Sequence, residues 1–255
     1  MEFSCPTFQL ILLLLFSLFL FGSTAAQEID LDDQLILYLP MNGDALDHSG
    51  NNVPTFPDGP TLTEDRFGQQ EGAYRFNGVD DSINLNNSKA LITSRSFTIC
   101  LWVKYLGRSH SDEETNVFFE QRHDIANGPS STILFNGDYF GQLNLLMRSD
   151  AARDVYKAQT EVVYDSQWHH YVARVDEQMH MEIYLDAELV AELDFGNNGG
   201  FVNSIDHVNL GTHHHTGGGI HGALNGIMDD VFIYNRALNH CEIEALFSGE
   251  LLKER

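Results

Sequence analysis

Apolar and polar residues alternate along most of this chain, in short runs separated by Gly, Asn and Asp. A period of two is the signature of a β-strand, because successive side chains face opposite sides of a sheet. Short strands divided by such turn residues are typical of an all-β sandwich or barrel. The pattern predicts strands at 35–39, 73–76, 82–85, 97–105, 143–147, 168–175, 181–185, 189–193, 208–211 and 227–234.

One helix is predicted, from His240 to Phe247 near the end of the chain. Asn239 can cap its first turn and Glu242 can return the hydrogen bond, a pairing known as the capping box. Gly249 suits the left-handed residue that ends many helices. Two stretches without periodicity are predicted to be long loops, at 51–72 and 107–114.

The N-terminal segment 1–26 is predicted to be a signal peptide, and 27–255 a single domain. An apolar run from Leu10 to Phe21 precedes small residues that end at Ala26, as in peptides cleaved on secretion. Glu2 stands where such peptides carry a basic residue, which leaves a membrane anchor as the alternative. A spanning helix needs about 20 apolar residues, and this run is shorter. We therefore expect a secreted, extracellular protein without membrane insertion after cleavage.

The charge of the chain narrows the classes of partner. There are 37 acidic residues against 14 Lys and Arg, a net charge of −23, and cleavage after Ala26 would remove only Glu2 and leave −22. Such an acidic surface repels phosphate backbones and anionic lipids, so nucleic acid is not expected as a partner. The charge favours solubility and the binding of cations.

Two cysteines and one sequon suggest covalent modification of an exported chain. Cys100 and Cys241 remain after loss of the leader, so one disulfide between them can form. Cys100 is predicted to lie within a strand and Cys241 in the helix, and the sequence does not decide whether they approach each other. Asn86 begins an Asn-Asn-Ser sequon, which would be glycosylated if the source is a eukaryote.

Six segments in order resemble the laminin G-like, concanavalin A-like jelly-roll family and, more distantly, the pentraxins: 41–51, 74–85, 96–105, 166–176, 181–193 and 226–246. The resemblance covers nearly all of the chain after the leader. It implies two antiparallel sheets packed face to face, with the N- and C-terminal strands side by side. It also implies, as in many members, a structural calcium ion near that junction.

The resemblance implies that acidic side chains from the two ends of the domain hold this calcium. The ligands would be Asn42, Asp44 and Asp47 after the first strand, and Asp229 and Asp230 in the last one. Ca²⁺ prefers carboxylate, carbonyl and water oxygens. Neighbouring strand residues face opposite ways, so we expect Asp229, rather than both aspartates, to bind through its side chain. The alternative is that these residues cap turns and accept backbone hydrogen bonds.

A run of histidines forms a second candidate metal site. His213 and His215 share a face in extended chain, and His221 can fold back across the turn at Gly217–Gly219. Neutral imidazoles suit Zn²⁺, Cu²⁺ or Ni²⁺. The alternative is a solvated loop without a resident metal.

The remaining motifs favour binding over catalysis. No carboxylates have the strand spacing of glucanases, and phosphate-loop and zinc-protease motifs are absent. The family buries the positions of Trp102 and Trp168, so stacking on a sugar would fall to Tyr139, Phe140 and Tyr164. We expect a calcium-stabilised binding or adhesion module, without enzyme activity, that recognises extracellular carbohydrate as lectins do. The alternatives are a protein-interaction or matrix module and an unrecognised glycan hydrolase or lyase.

Overall fold

A computed structural model describes the chain at residues 29–85, 90–109, 115–123, 131–148, 155–196, 207–214 and 220–249. The predicted signal peptide, the sequon residue Asn86 and His215 lie outside these residues. Within them, no helix has both the length and the apolar character needed to cross a membrane.

The first of two antiparallel sheets has eight strands. Seven follow one another in the spatial order β13 (Glu188–Asp194), β12 (His180–Leu185), β11 (Trp168–Val175), β6 (Phe97–Tyr105), β17 (Asn225–Tyr234), β4 (Ala73–Asn77) and β3 (Thr61–Thr63). The eighth, β1 (Leu35–Leu39), pairs with the C-terminal half of β17, so the strands at the two ends of the domain are neighbours.

The second sheet has seven strands. Their spatial order is β10 (Val155–Val162), β9 (Gln142–Arg148), β8 (Ser131–Gly137), β7 (Asn116–His123), β14 (His207–Leu210), β5 (Ser82–Asn84) and β2 (Phe56–Asp58). A separate two-stranded hairpin joins β15 (His213–His214) to β16 (Ile220–His221). The architecture is the predicted jelly-roll sandwich.

The core explains why some strands are apolar on both faces. Side chains from both sheets, such as Ile99, Phe119 and Tyr171, form one buried cluster between them. A smaller cluster covers the opposite face of the first sheet, where α1 (His240–Ser248) packs. The central strand β6 contributes to both clusters, as its apolar faces predict.

All the predicted strands are present, with ends that shift by one or two residues. The capping box of Asn239 and Glu242 is confirmed, and Gly249 takes the left-handed conformation with φ 65°. Five strands of the two sheets were not predicted: β2, β3, β7, β8 and β10. The first two lie inside the stretch predicted to be one long loop.

The disulfide that the sequence left open between Cys100 and Cys241 is not formed, because Cys100 is a free thiol. The helix turns Ile243 and Leu246 toward the sheet and into the cluster that contains Cys100. Cys241 precedes this buried stripe and is only half-buried. Burial raises the pKa of the Cys100 thiol well above its ordinary value, so the group stays neutral.

Candidate functional site

The aspartate pair of the last strand lies at a β-bulge. The pairing of β17 with β6 shifts between Asp229 and Phe232, and Asp230 has φ +43°. A bulge breaks the alternation of side chains along a strand. Both carboxylates therefore reach the same partner, Arg66, although strand alternation predicts that neighbouring side chains face opposite ways.

Arg66 supplies the positive charge at this site. One guanidinium nitrogen donates to Asp229 Oδ2, and the other lies 2.6 Å from Asp230 Oδ2. All three side chains are buried. The guanidinium also lies over the rings of Phe67 and Trp102, 4.4 and 4.7 Å from their centres. These contacts place a desolvated cation between two carboxylates and two aromatic faces.

The electrostatics of the aspartate pair reflect burial more than the charge of Arg66. Burial and repulsion from Asp230 raise the pKa of Asp229 above its ordinary value, and Arg66 opposes the shift. Burial likewise raises the pKa of Asp230, against the guanidinium and the Tyr38 hydroxyl, which donates to Oδ1 at 3.2 Å. The pair depends on its cation, since an unpaired carboxylate in this position would be costly.

Asp47 in the loop after β1 binds backbone amides. Its Oδ1 accepts from the amides of Tyr38 and Ser49 at 3.2 and 2.9 Å, and its Oδ2 accepts from Val53 at 2.9 Å. Asn51 donates to the Leu35 carbonyl at 2.8 Å. The loop thus satisfies polar groups along the edge of β1 that does not pair with β17, which is the usual need of an edge strand.

Asn42 and Asp44 also have partners of their own. Asn42 Oδ1 accepts from Gln69 at 2.9 Å, and Asp44 Oδ1 accepts from the Leu46 amide at 3.0 Å. Within the described ranges, no three Asp, Glu, His or Cys side chains form a group that could hold a metal ion. The arrangement does not fit the implied calcium site, because Arg66 and backbone amides take the carboxylate oxygens. Calcium binding stays a prediction without support from this geometry.

The histidine run partly follows its prediction. His221 lies opposite His213 in the β15–β16 hairpin, so the chain does fold back there. The His213 ring, however, makes a short hydrogen bond through Nδ1 with Glu120, and its Nε2 lies 3.2 Å from an Arg122 nitrogen. Both ring nitrogens of His213 therefore contact protein groups. A transition-metal site stays a prediction.

The hairpin segment covers the outer face of the second sheet. Gly222 accepts the Val117 amide at 3.0 Å, and a side chain at this glycine, with φ +61°, would meet Thr115 Oγ1 at 2.4 Å. Glycine thus permits the close approach of this segment to β7. The approach lets His213 reach Glu120.

On the outer face of the second sheet, polar side chains of neighbouring strands lie opposite one another and form rows across the sheet. Core residues such as Phe119, Ile133 and Leu145 alternate with them along each strand, so the polar ones point outward. We call this surface the polar face and define it by three rows. The rows are His207–Arg122–Thr132–Arg148, then Asn84–Asn209–Glu120, and finally Asn136–Asn144–Gln159.

Several polar atoms at this face are buried and have no hydrogen-bond partner within the part of the chain that the structure describes. They are Asn209 Nδ2, Asn144 Oδ1 and, at the base of the hairpin, Thr212 Oγ1. A buried polar atom left unpaired costs about 1–3 kcal/mol, so such atoms usually meet water or a ligand. The middle of the face is apolar: Leu134 and Leu146 are paired and half-buried. The face thus combines hydrogen-bonding groups with an apolar floor.

An aromatic pair extends from one end of the polar face. The turn between β8 and β9 carries Tyr139 and Phe140, which pack edge to face with exposures of 39% and 70%. Arg108 lies over the Tyr139 ring at 3.8 Å. Tyr164 is not available, since it stacks on Tyr105 at 3.6 Å and donates to the Asp138 carbonyl.

The tryptophans differ from the expectation that both would be buried. Trp102 and Trp168 are half-buried. Trp102 packs between the Arg66 guanidinium and the ring of Phe247, whose plane lies 14° from that of the indole. The indole is thereby engaged within the protein on the first sheet, away from the polar face.

Sequence reasoning missed the residues that organise both sites. Arg66 lies in a stretch without periodicity and meets partners 163 and 164 residues away. Glu120 and Arg122 lie in β7, where buried charge interrupts the apolar pattern. The sequence NVFFEQRH alternates only after Phe119, because β7 also has an irregular register with β8 between Val117 and Phe119.

Solved structures with the same fold are numerous. The binding domain of Paraclostridial Mosquitocidal Protein 1 matches with TM-score 0.63 and 20% identity, over 86% of this chain and 52% of that one. Domain 4 of AbnA, a GH43 extracellular arabinanase from Geobacillus stearothermophilus in complex with arabinotriose, matches with TM-score 0.62 and 20% identity, over 84% and 98%. The botulinum neurotoxin serotype D ligand binding domain, in complex with N-acetylneuraminic acid, matches with TM-score 0.61 and 18% identity, over 87% and 52%.

These identities establish the fold alone, and the chain spans about half the length of the toxin domains. No curated protein matches the sequence. The family model described as "Concanavalin A-like lectin/glucanases superfamily" matches residues 77–244, more than half of the chain. The segments that resemble a laminin G-like jelly roll and the two observed sheets lead to the same assignment, and the chain belongs to this Laminin_G_3 family.

Proposed function

We propose that this chain is a secreted, non-catalytic module that binds extracellular carbohydrate on its polar face. The observation that carries the proposal is the set of buried, unpartnered atoms Asn209 Nδ2, Asn144 Oδ1 and Thr212 Oγ1. A sugar presents hydroxyl groups that both donate and accept, so different units of one oligosaccharide can satisfy an amide nitrogen and an amide oxygen that lie on separate strands.

The apolar parts of the site suit the other half of a sugar's chemistry. A pyranose ring has C–H faces between its hydroxyl-bearing edges. Leu134 and Leu146 offer a half-buried apolar floor, with Asn136 and Asn144 two residues along their strands. Tyr139 and Phe140 add exposed rings at the end of the same strands. Binding sites of this kind place a few polar groups around apolar surface.

The comparisons support the proposal only for the broad class of protein, a binding domain. The neighbours include toxin binding domains and an arabinanase domain in complex with arabinotriose. Fold does not fix function, so the assignment depends on the polar face. Calcium is not included in the proposal, because Arg66 already occupies the space between Asp229 and Asp230 and binds both carboxylates.

A glycan array probed with residues 27–255 tests this function. We expect saturable binding to a restricted set of glycans, with the dissociation constant then measured by calorimetry. Asn144→Ala should weaken binding about tenfold, because the amide contributes to hydrogen bonds of about 0.5–1.5 kcal/mol each and positions the ligand. Glu192→Ala, at an exposed position of β13 in the first sheet, is the control and should bind as the wild type does.

Three outcomes would overturn the proposal. A blank array together with capture of a defined protein ligand would assign the chain to protein interaction. Release of reducing ends or unsaturated sugars from a bound glycan would show an enzyme. Binding that Glu192→Ala and Asn144→Ala weaken equally would place the ligand away from the polar face.

A further inference from the structure

We propose that a proton on His169 holds the aromatic turn in position, so that carbohydrate binding weakens when this proton is lost. The aromatic turn is the β8–β9 connection that carries Tyr139 and Phe140, with Gly137 and Gly141 at its two ends. The inference rests on the proposed function and names a regulation of that same surface. It makes His169 a positioning residue, because the imidazole acts on the turn through other side chains.

The His169 ring lies between two carboxylates. Its Nδ1 is 2.7 Å from Asp186 Oδ2, and its Nε2 is 3.0 Å from Asp165 Oδ1. A neutral imidazole has one N–H group, so it can donate to only one of these oxygens and would turn a lone pair toward the other. The imidazolium donates to both. The geometry therefore indicates a protonated His169.

The groups that face His169 favour the proton and decide where it is lost. Asp186 lies in the β12–β13 turn and Asp165 in the β10–β11 loop. Val103 on β6 stands opposite His169, and the Tyr171 ring on the same strand stacks at 6.1 Å. Burial raises the pKa of Tyr171, which stays neutral. Burial would lower the pKa of His169, but the two carboxylates outweigh it and raise the pKa from 6.5. The double contact is therefore complete below pH 6.5 and is lost as the pH rises through the higher pKa of the folded protein.

Loss of the proton releases Asp165 rather than Asp186. Asp186 Oδ1 also accepts the His170 amide at 2.9 Å, and the Asp186 amide donates to the His170 carbonyl at 2.9 Å. Asp165 accepts from the Gln167 amide at 2.8 Å within its own loop, and its side chain is 54% exposed. The neutral imidazole thus keeps the anchored carboxylate, and the exposed one turns to water. The β10–β11 loop then loses this tie to β11.

Tyr164 connects the loop to the aromatic turn. It directly precedes Asp165, and its side chain packs against the glycines at both ends of the turn. A Cβ on Gly141 would come within 2.7 Å of the ring, and one on Gly137 would overlap the hydroxyl. The hydroxyl donates to the Asp138 carbonyl at 3.2 Å. Movement of the loop therefore shifts the support of the turn.

The expected consequence is a change in affinity. A ligand that stacks on Phe140 needs an ordered aromatic turn, and this order is already present while the His169–Asp165 contact holds the loop. Without that contact, the ligand has to order the turn itself. We expect about three- to tenfold weaker binding at pH 9.5 than at pH 6, the scale of ordering one or two side chains.

Nuclear magnetic resonance of residues 27–255, without ligand, tests the coupling directly. The ring C–H signals of His169 and the amide signals of Phe140 and Gly141 are followed from pH 5.5 to 9.5. We expect one common midpoint above pH 6.5. In Asp165→Ala, His169 should still titrate against Asp186, but the turn amides should no longer follow it. This variant separates a mechanical link from a direct effect of the charge.

Calorimetry at pH 6 and pH 9.5 measures the effect on binding, with the oligosaccharide that the glycan array selects. His169→Gln, which cannot take up a proton, and Asp165→Ala should have the weaker affinity at both pH values. His180→Gln is the matched control. His180 also lies between two carboxylates, 3.5 Å from Glu182 and 3.6 Å from Glu192, but at the end of β12 away from this loop. This variant should keep the wild-type difference between the two pH values.

The outcomes separate this inference from the proposed function. Turn amides that do not follow His169, or a turn response that persists in Asp165→Ala, would overturn the inference while glycan binding stands. Equal wild-type affinities for the selected glycan at both pH values would do the same. A blank array would overturn the proposed function and with it the pH effect on binding, whatever the turn amides show.

Discussion

Arg66 and Asp230 form a buried ion pair, with a guanidinium nitrogen 2.6 Å from a carboxylate oxygen, although 164 residues separate them along the chain. The same guanidinium binds Asp229, so one cation bridges both acids of the last strand. The pair joins the loop that precedes β4 to the centre of the first sheet. The site is thus a structural link, separate from the polar face on the second sheet.

Removing the Arg66 side chain should strongly destabilise the domain. Arg66→Met leaves two buried carboxylates without their cation, and loss of one partner of a buried pair costs about 3–5 kcal/mol. Urea unfolding followed by tryptophan fluorescence measures the change. The triple variant that adds Asp229→Asn and Asp230→Asn should recover part of the loss, because no uncompensated charge remains. A loss below 1 kcal/mol in Arg66→Met would contradict a structural role for the pair.

Calcium removal should leave the wild-type protein unchanged. Because Arg66 supplies the positive charge for Asp229 and Asp230, we expect equal melting temperatures with calcium and with a chelator. Arg66→Ala should behave differently, since its vacated carboxylates would gain stability from millimolar Ca²⁺. Differential scanning calorimetry of both proteins decides this. A fall of several degrees on chelation of the wild type would restore the calcium site implied by the family resemblance.

His170 should make stability depend on pH below neutrality. Burial lowers the pKa of His170 from 6.5 to about 3, and the nearby Arg66 charge adds to the shift. Since the folded pKa is the lower one, the stabilising contribution is present above pH 6.5 and is lost as pH falls toward 3. In that range the unfolded chain binds a proton at His170 and the folded chain does not. The free energy of unfolding therefore falls by about 1.4 kcal/mol per pH unit.

The matched variant for this test is His170→Phe, which keeps a ring beside Trp102 and Phe247. Unfolding free energies of both proteins are measured from pH 7.5 to 4. The wild type should lose stability relative to the variant below pH 6.5, and parallel profiles would show that His170 does not titrate as its burial requires.

The fold was predictable because strand periodicity and helix capping are patterns of residues close together in the sequence. Strands such as β1, β6 and β11 alternate or are apolar throughout, and the capping box of α1 lies within four residues. The two sites depend on contacts that no local pattern contains. Arg66 follows Asp65 in a Pro-rich stretch, and its partners become adjacent only when β17 takes its place between β4 and β6.

The polar face was missed for a related reason. Glu120 and Arg122 interrupt the apolar pattern of β7, as exposed residues would, yet the hairpin that carries His213 buries them. A charged residue within a strand usually indicates a solvated face. The sequence did mark the bulge at Asp230, because two adjacent acids stand within an apolar strand. Regular alternation, however, predicts that their side chains point to opposite faces.

The aromatic turn should contribute to ligand binding with little effect on folding. Phe140 is 70% exposed, so Phe140→Ala removes little buried surface and should change unfolding free energy by less than about 0.5 kcal/mol. Its ring should stack on the sugar rings of the bound glycan, and its loss should weaken binding by about three- to tenfold, at the scale of a single aromatic contact. Leu189→Ala removes another exposed apolar side chain, from β13 on the other sheet, and should leave binding unchanged. Calorimetry with the best glycan from the array compares the two, and equal affinities for Phe140→Ala and the wild type would confine the site to the rows between Asn144 and Arg148.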